Sequence, residues 1–320
     1  MGSSRTWPST NEPALPRGGR PAPTPDHARR DVPGGARTAP IRAQMCVEIA
    51  HEGGFAVSRL PVRKTYKLYV GGEFPRSESG RSYEVQGANV AWGSRKDLRD
   101  AVRAARAAFP GWAGRTAYNR GQILYRVAEM IEGRAAEFAE LVGGDVEVSS
   151  AVDCWVWYAG WADKLAQVLG SANAVAGPYF NFTVPEPTGV VGVVAPEEPP
   201  LLGLVRRLAP AIVGGNTAVV VASERAPLAA VTLAEVLATS DLPGGVVNIL
   251  TGRKKELCPG LASHMDVNAL DLAGVEGERG ELERLAAENV KRVVTSGDGQ
   301  SLWHAAAFLE LKTVWHPIGV

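Results

Sequence analysis

The sequence predicts an α/β protein built on a doubly wound parallel sheet. From Thr188 onward, short valine-rich apolar runs alternate with longer segments of helical periodicity. Strands of this kind are buried on both faces, and the intervening helices act as crossover connections, so the strands pair in parallel. Before Thr188 the apolar spacing is mostly helical, which predicts a group of N-terminal helices in front of the sheet.

The chain begins with a segment of different composition. Eight of the 22 prolines fall in the first 40 positions, together with glycine pairs and scattered arginines. Few apolar residues are available there to offset the entropy of ordering, so residues 1–60 are expected to form a disordered Pro/Arg/Gly-rich tail. The arginine excess fits a solvated tail better than a nucleic-acid-binding arm.

Order is expected to begin near Lys64. An alternating pattern on both sides of Gly71-Gly72 predicts a hairpin that turns at this glycine pair. Ser94 then stands in front of an amphipathic segment as a plausible helix N-cap, and two further amphipathic segments follow. The aromatic residues of the last one, among them Trp155 and Tyr158, are expected to pack in the interior and not to form a binding face.

The sheet itself occupies about a hundred residues. Its strands are expected at Gly189–Ala195, Thr217–Ala222, Gly245–Leu250, Ala269–Leu272 and Arg292–Val294. Its helices are expected at Leu201–Val213, Ala226–Thr239, Lys255–His264 and Glu278–Asn289. Ligands of such sheets bind at the carboxyl ends of the strands, so a nucleotide site is expected at that edge.

Composition argues against several classes of function. Lys plus Arg equals Asp plus Glu, 34 against 34, which gives no support for a nucleic-acid or anionic-membrane partner. The three cysteines are far apart and form no disulfide framework, which favours a cytoplasmic location. No apolar run reaches the length of a membrane span, and the five histidines show no metal-ligand spacing.

An ordered set of motifs resembles the NAD(P)-dependent aldehyde dehydrogenase superfamily. The motifs are "YKLYVGGEF", "YAGWADK", "YFNFTVPEPTGVVGVVAP", "LAPAIVGGNTAVVVASE", "LPGGVVNILTG", "ENVKRV" and the closing "FLELKTVW". The resemblance implies a Rossmann-like cofactor-binding domain at 61–294 and a small oligomerisation sheet. It also implies a linker at 295–307 in place of a catalytic domain, and an oligomerisation strand at 308–320.

Positions that are catalytic in the family carry other residues in this chain. Glu198 stands where the resemblance places an asparagine that donates to the oxyanion, and an ionised carboxylate has no proton to donate. Ser296 stands at about the position of the general base. Cys258 lies close to a predicted helix start, where a thiolate is favoured, but no base is evident beside it. The sequence therefore predicts no catalytic residue and no aldehyde oxidation by the chain alone.

The cofactor positions are partly retained. By resemblance, Ser223, Glu224, Gly252 and Gly274 are candidate NAD(P) contacts, with Glu224 an acceptor for a ribose hydroxyl. The alternative is that Ser223 and Glu224 merely cap the next connection. Lys254 replaces a glycine and is either a phosphate contact or an exposed loop lysine. NAD(P) binding is expected to be weak or lost, and no metal is expected.

Three functional hypotheses follow. The first is a non-catalytic partner subunit that docks on a complete aldehyde dehydrogenase, or on a second copy, through the strand Leu309–Trp315, with Glu197-Glu198 as an exposed or partner-facing turn. The second is a residual NAD(P)-binding oxidoreductase that acts on the aldehyde or oxo group of donors within a hetero-oligomer. The third is a decayed gene product.

Overall fold

The computed structural model describes residues 63–295 and 300–319. The predicted tail at 1–60 lies outside them. The strands are β1 Thr65–Tyr66, β2 Ser82–Val85, β3 Ala88–Ala91, β4 Ser171–Asn173, β5 Tyr179–Pro187, β6 Val190–Val194, β7 Thr217–Val221, β8 Val247–Leu250, β9 Ala269–Asp271, β10 Arg292–Val294 and β11 Leu309–Pro317. The helices are α1 Arg95–Ala113, α2 Ala117–Glu132, α3 Ala135–Val142, α4 Asp145–Trp161, α5 Leu165–Leu169, α6 Leu202–Val213, α7 Pro227–Thr239, α8 Lys254–Ser263, α9 Arg279–Ala287 and α10 Leu302–Ala306.

The central sheet is five-stranded and parallel, in the order β10-β9-β6-β7-β8. The chain winds from β6 outward to β8, crosses back to β9 and ends at β10. The direction of winding therefore reverses between β6 and β9, and a crevice opens at the carboxyl ends of these two strands. The predicted strands and helices of this region are confirmed to within three residues at each end.

Helices cover both faces of the central sheet. Because successive side chains of a strand point to opposite faces, Val190 and Val194 pack against α1, α8 and α9, whereas Val191 and Val193 pack against the layer that contains α2, α4, α6 and α7. All four valines are fully buried. Burial of each side chain stabilises the fold by roughly 1.5 kcal/mol or more, which explains the valine-rich strands.

The N-terminal helices form as the sequence predicts. Ser94 caps α1, since its hydroxyl accepts from the Asp97 amide while the Asp97 carboxylate accepts from the Ser94 amide. Trp155 and Tyr158 on α4 are fully buried, so their packing role is confirmed.

The predicted hairpin is only partly present. Val70 and Glu73 exchange two backbone hydrogen bonds of 3.0 and 3.1 Å across Gly71-Gly72, so the turn is correct. One further hydrogen bond, from the Leu68 amide to the Pro75 carbonyl oxygen at 3.2 Å, continues the pairing, while Tyr69 bonds on the other edge to Ile249 at the rim of the central sheet. The small sheet that forms has the order β1-β3-β2, and its hairpin is β2–β3 with a turn at Gln86-Gly87.

A third sheet has the order β11-β5-β4. β11 pairs antiparallel with β5 along its whole length, from Leu309 opposite Pro187 to Pro317 opposite Tyr179. The sequence shows no nearby partner for β11, because the partner strand precedes the whole central sheet. The segment predicted as a linker, 295–307, contains the short helix α10 in its described part.

Candidate functional site

A crevice of about 550 Å³ lies at the carboxyl edge of the central sheet. One wall is apolar and is formed by Val85, Cys258, Pro259, Val275 and Leu282. The remainder carries as many acidic as basic side chains, namely Glu197, Glu224, Glu276 and Glu278 with Arg225, Arg253, Lys254 and Lys255. The crevice lies where the sequence predicts a nucleotide site.

Lys254 crosses the floor of this crevice from the first turn of α8. Its Nζ atom donates to the carbonyl oxygens of Ala195, at 2.6 Å, and Gly274, at 3.0 Å, and it forms an ion pair with Glu197. The side chain is only 13% exposed. The interpretation of Lys254 as an exposed loop lysine is therefore wrong, because the three acceptors draw the ammonium inward.

Glu197 is held by three donors from two segments, the start of α8 and the loop after β7. Besides the pair with Lys254, its carboxylate accepts from the Ser223 hydroxyl at 2.7 Å and from the Arg225 amide at 3.1 Å. Burial alone would raise the pKa of the Glu197 carboxyl, but these hydrogen bonds outweigh it, and the pKa is lowered from its ordinary value. Glu197 is thus an inward-facing anion, and its prediction as an exposed turn residue is wrong.

Glu198, the next residue, is exposed, as predicted for this turn. The hypothesis that the turn faces a partner remains a prediction. Ser296, the residue at about the general-base position, lies outside the described residues.

Glu224 also has its partners within the chain. Its carboxylate accepts from the Lys254 amide at 2.5 Å, which caps α8, and from Arg253 at 3.0 Å. The Arg253 guanidinium lies 5.5 Å from the ring centroids of both Tyr83 and Trp92. These contacts fix the rim of the crevice.

The other candidate cofactor contacts occupy different places. Ser223 is buried, and its hydroxyl accepts from the Ala226 amide at 3.0 Å, as in the capping alternative. Gly252 lies against Gly93 and not on the wall of the crevice. Gly274 lines the crevice and approaches the backbone of Val194 and Ala195 so closely that no Cβ would fit. Their roles toward a cofactor remain predictions.

The described cysteines are not thiolates. Burial raises the pKa of the Cys258 thiol to about 12, although Lys254 opposes the shift, and burial raises the pKa of Cys154 to about 12 as well. Cys258 lies in the second turn of α8, past the helix start, and its side chain is buried among apolar residues at the wall of the crevice. Cys46 lies outside the described residues.

A buried polar cluster beside the crevice escaped the sequence reasoning. Asp271, at the end of β9, is fully buried and lies 3.3 Å from the Nε2 atom of His304 on α10 and 3.9 Å from Arg207 on α6. The sequence feature that could have indicated this cluster is an aspartate, Asp271, at the end of an apolar strand. The cluster ties the segment before β11 to the central sheet.

The crevice matches a dinucleotide only in part. The apolar wall suits a flat aromatic ring. The floor does not suit a pyrophosphate, because the donors of Lys254 already have acceptors and the Glu197 carboxylate lies beside them. Among the described residues, no group of three or more His, Cys, Asp or Glu side chains could hold a metal ion. In the same part of the chain, no helix combines the length and the apolarity that a membrane crossing requires.

Comparison with known proteins agrees with the fold. The model of the aldehyde dehydrogenase family matches residues 81–315. Human retinal dehydrogenase 2 is 34% identical over 260 residues, which cover 74% of this chain and 49% of that protein. Rat mitochondrial aldehyde dehydrogenase is 36% identical over 227 residues, which cover 66% of this chain and 43% of that protein.

Solved structures of aldehyde dehydrogenases have the same fold over the matched part of the chain. The NAD+ complex of an aldehyde dehydrogenase from Bacillus cereus superposes with a TM-score of 0.67 at 28% identity, covering 72% of this chain and 50% of that one. PnpE from Pseudomonas sp. WBC-3 has the same TM-score, identity and coverage. The chain spans about half the length of the relatives that it matches.

Proposed function

Because the chain belongs to the aldehyde dehydrogenase family and has its NAD-binding fold, we propose that it acts as a non-catalytic partner subunit of a complete aldehyde dehydrogenase. The observation that carries the proposal is the sheet β11-β5-β4, which displays apolar side chains on both faces. Phe180 and Val314 lie on one face and Leu311 and Trp315 on the other, since residues opposite each other in the register share a face. Their exposed fractions range from 40% to 58%.

Such a sheet is costly to leave in water. Contiguous exposed apolar surface marks a contact site in folded proteins. A nine-residue strand at a sheet edge can also pair with a strand of another chain. Both features support docking onto a partner that covers the sheet, and the exposed Glu198 at the oxyanion position supports a role without catalysis.

The proposal is tested by size-exclusion chromatography with light scattering. The chain is analysed alone and after co-expression with a full-length aldehyde dehydrogenase from the same cell. We expect a complex that contains both chains, and its loss in the double variant Leu311→Glu, Val314→Glu. Trp303→Glu is the matched control, because Trp303 is 76% exposed but lies on α10, outside the sheet. Separate elution of the two wild-type chains overturns the partner role.

A second candidate is supported by the crevice at the carboxyl edge of the sheet. In this alternative the chain is a residual NAD(P)-binding oxidoreductase that acts on the aldehyde or oxo group of donors within a hetero-oligomer. We propose that NAD(P) binding is weak or lost, because the floor of the crevice is internally paired. Isothermal titration with NAD+ separates the two candidates, since a dissociation constant in the low micromolar range would favour the oxidoreductase.

A further inference from the structure

The floor of the crevice is an ion pair within the chain. The three hydrogens of the Lys254 ammonium face three acceptors, the Ala195 and Gly274 carbonyl oxygens and the Glu197 carboxylate. The Glu197 carboxylate in turn has three donors, from Lys254, Ser223 and Arg225. The pair therefore connects the ends of β6 and β7, the start of α8 and the loop after β9.

We propose that the Lys254–Glu197 pair makes the crevice selective for an uncharged, flat ligand of the nucleoside class and excludes ligands that carry a phosphate. The inference rests on the proposed weak binding of NAD(P) and names its cause. It does not depend on the partner role of the sheet.

Charge accounts for the exclusion. A phosphate that reaches Lys254 must either displace the Glu197 carboxylate or remain beside it. The two side chains are only 13% and 9% exposed, so solvent screens the repulsion between phosphate and carboxylate weakly. Displacement is also unfavourable, because Glu197 would give up three hydrogen bonds in a largely buried position.

The apolar wall opposite Lys254 explains why a flat, uncharged ring can bind in the crevice. Val85, Pro259, Val275 and Leu282 present apolar surface on which a purine-sized ring can lie. The volume of about 550 Å³ is within the range of small-molecule sites. Glu276 is exposed at the rim, and its carboxylate can accept from hydroxyl groups of an uncharged sugar.

The experiment is isothermal titration of the full chain with adenosine, AMP and NAD+. For the wild type we expect adenosine to bind more tightly than either phosphate-bearing compound. Glu197→Gln keeps the shape and removes the charge, leaving the ammonium with neutral acceptors. We expect this variant to bind AMP and NAD+ roughly tenfold more tightly, while the affinity for adenosine changes less than about twofold.

Glu278→Gln is the matched control, because it makes the same charge change in the same crevice at an exposed position. A gain for AMP equal to that of Glu197→Gln would overturn the proposal. Lys254→Met gives the opposite test, since the remaining carboxylate should weaken AMP and NAD+ binding below the wild type. Circular dichroism confirms that each variant is folded.

The outcomes distinguish a failure of this inference from a failure of the proposed weak cofactor binding. Tight binding of NAD+ by the wild type overturns both this inference and the proposed weak cofactor binding. Weak binding of NAD+ by the wild type and by Glu197→Gln alike, or no binding of adenosine, overturns the inference alone. The partner role is decided separately by light scattering.

Discussion

The Nε2 atom of His304 lies 3.3 Å from the Oδ2 atom of Asp271, and both side chains are buried. His304 belongs to α10 and Asp271 ends β9, so the contact joins the segment before β11 to the carboxyl edge of the central sheet. Arg207 lies 3.9 Å from the same carboxylate oxygen. The described part of the segment between β10 and β11 is thus anchored to the interior through His304, Ala305 and Phe308.

Asp271→Asn should destabilise the chain by about 2–4 kcal/mol, because it removes a buried negative charge beside Arg207 and His304. Urea denaturation followed by tryptophan fluorescence measures the change. Asp241→Asn is the control, since Asp241 pairs with Arg126 at a largely exposed position, and its effect should stay within about 0.5 kcal/mol. Equal effects of the two substitutions would show that the buried cluster adds nothing to stability.

Gly274→Ala should destabilise the chain by about 2 kcal/mol or more, because the added Cβ would collide with the backbone of Val194 and Ala195. The control is Gly280→Ala on α9, where no atom lies within 4 Å of an added Cβ and alanine favours the helix. Thermal unfolding should give a lower Tm for the first variant and an equal or higher Tm for the second. A wild-type Tm for Gly274→Ala contradicts the close approach.

Cys154 and Cys258 should be unreactive in the folded chain. With a pKa of about 12, only about one thiol in ten thousand is ionised at pH 8. A Cys46→Ser variant isolates the two thiols, and Ellman's reagent should modify them more than a hundredfold more slowly in buffer than in urea. Fast modification of one thiol in buffer would restore Cys258 as a candidate nucleophile.

Glu197 should contribute to stability in a pH-dependent way. Its pKa is lowered in the folded chain, so the contribution is fully present above the unfolded pKa of roughly 4.3 and is lost as the pH falls through the lower folded pKa. Wild type and Glu197→Gln should therefore differ in urea stability at pH 7, and the difference should shrink as the pH falls below the unfolded pKa and through the lower folded pKa. Glu283→Gln, at an exposed position, is the control. We expect its urea stability to be close to that of the wild type at pH 7 and at low pH alike.

The sequence predicts the central sheet well, because strand burial and helix amphipathicity are local patterns that each segment carries by itself. It does not predict the pairing of Lys254 with Glu197. That contact depends on how the β6–α6 turn and the start of α8 meet, and its acceptor Ala195 is 59 positions from Lys254. The same holds for β11, whose partner strand is recognisable only through the family resemblance.

The extent of the hairpin at Gly71-Gly72 has a related cause. Its strands pair only at Val70 with Glu73 and at Leu68 with Pro75, while Tyr69 bonds on the other edge to Ile249 of the central sheet. A residue pattern specifies that a segment is extended, and the competition between possible partners is decided by the assembled sheet.

The pairing of β5 with β11 also has a consequence for the order of folding. Thr188 and Phe308, which are hydrogen-bonded at the base of this sheet, are 120 positions apart. At about 5–20 residues per second, a ribosome makes β11 roughly 6–24 s after β5. During that interval one edge of β5 is unpaired while the central sheet forms. The nascent chain is therefore prone to aggregation at β5 until β11 has been synthesised and pairs with it.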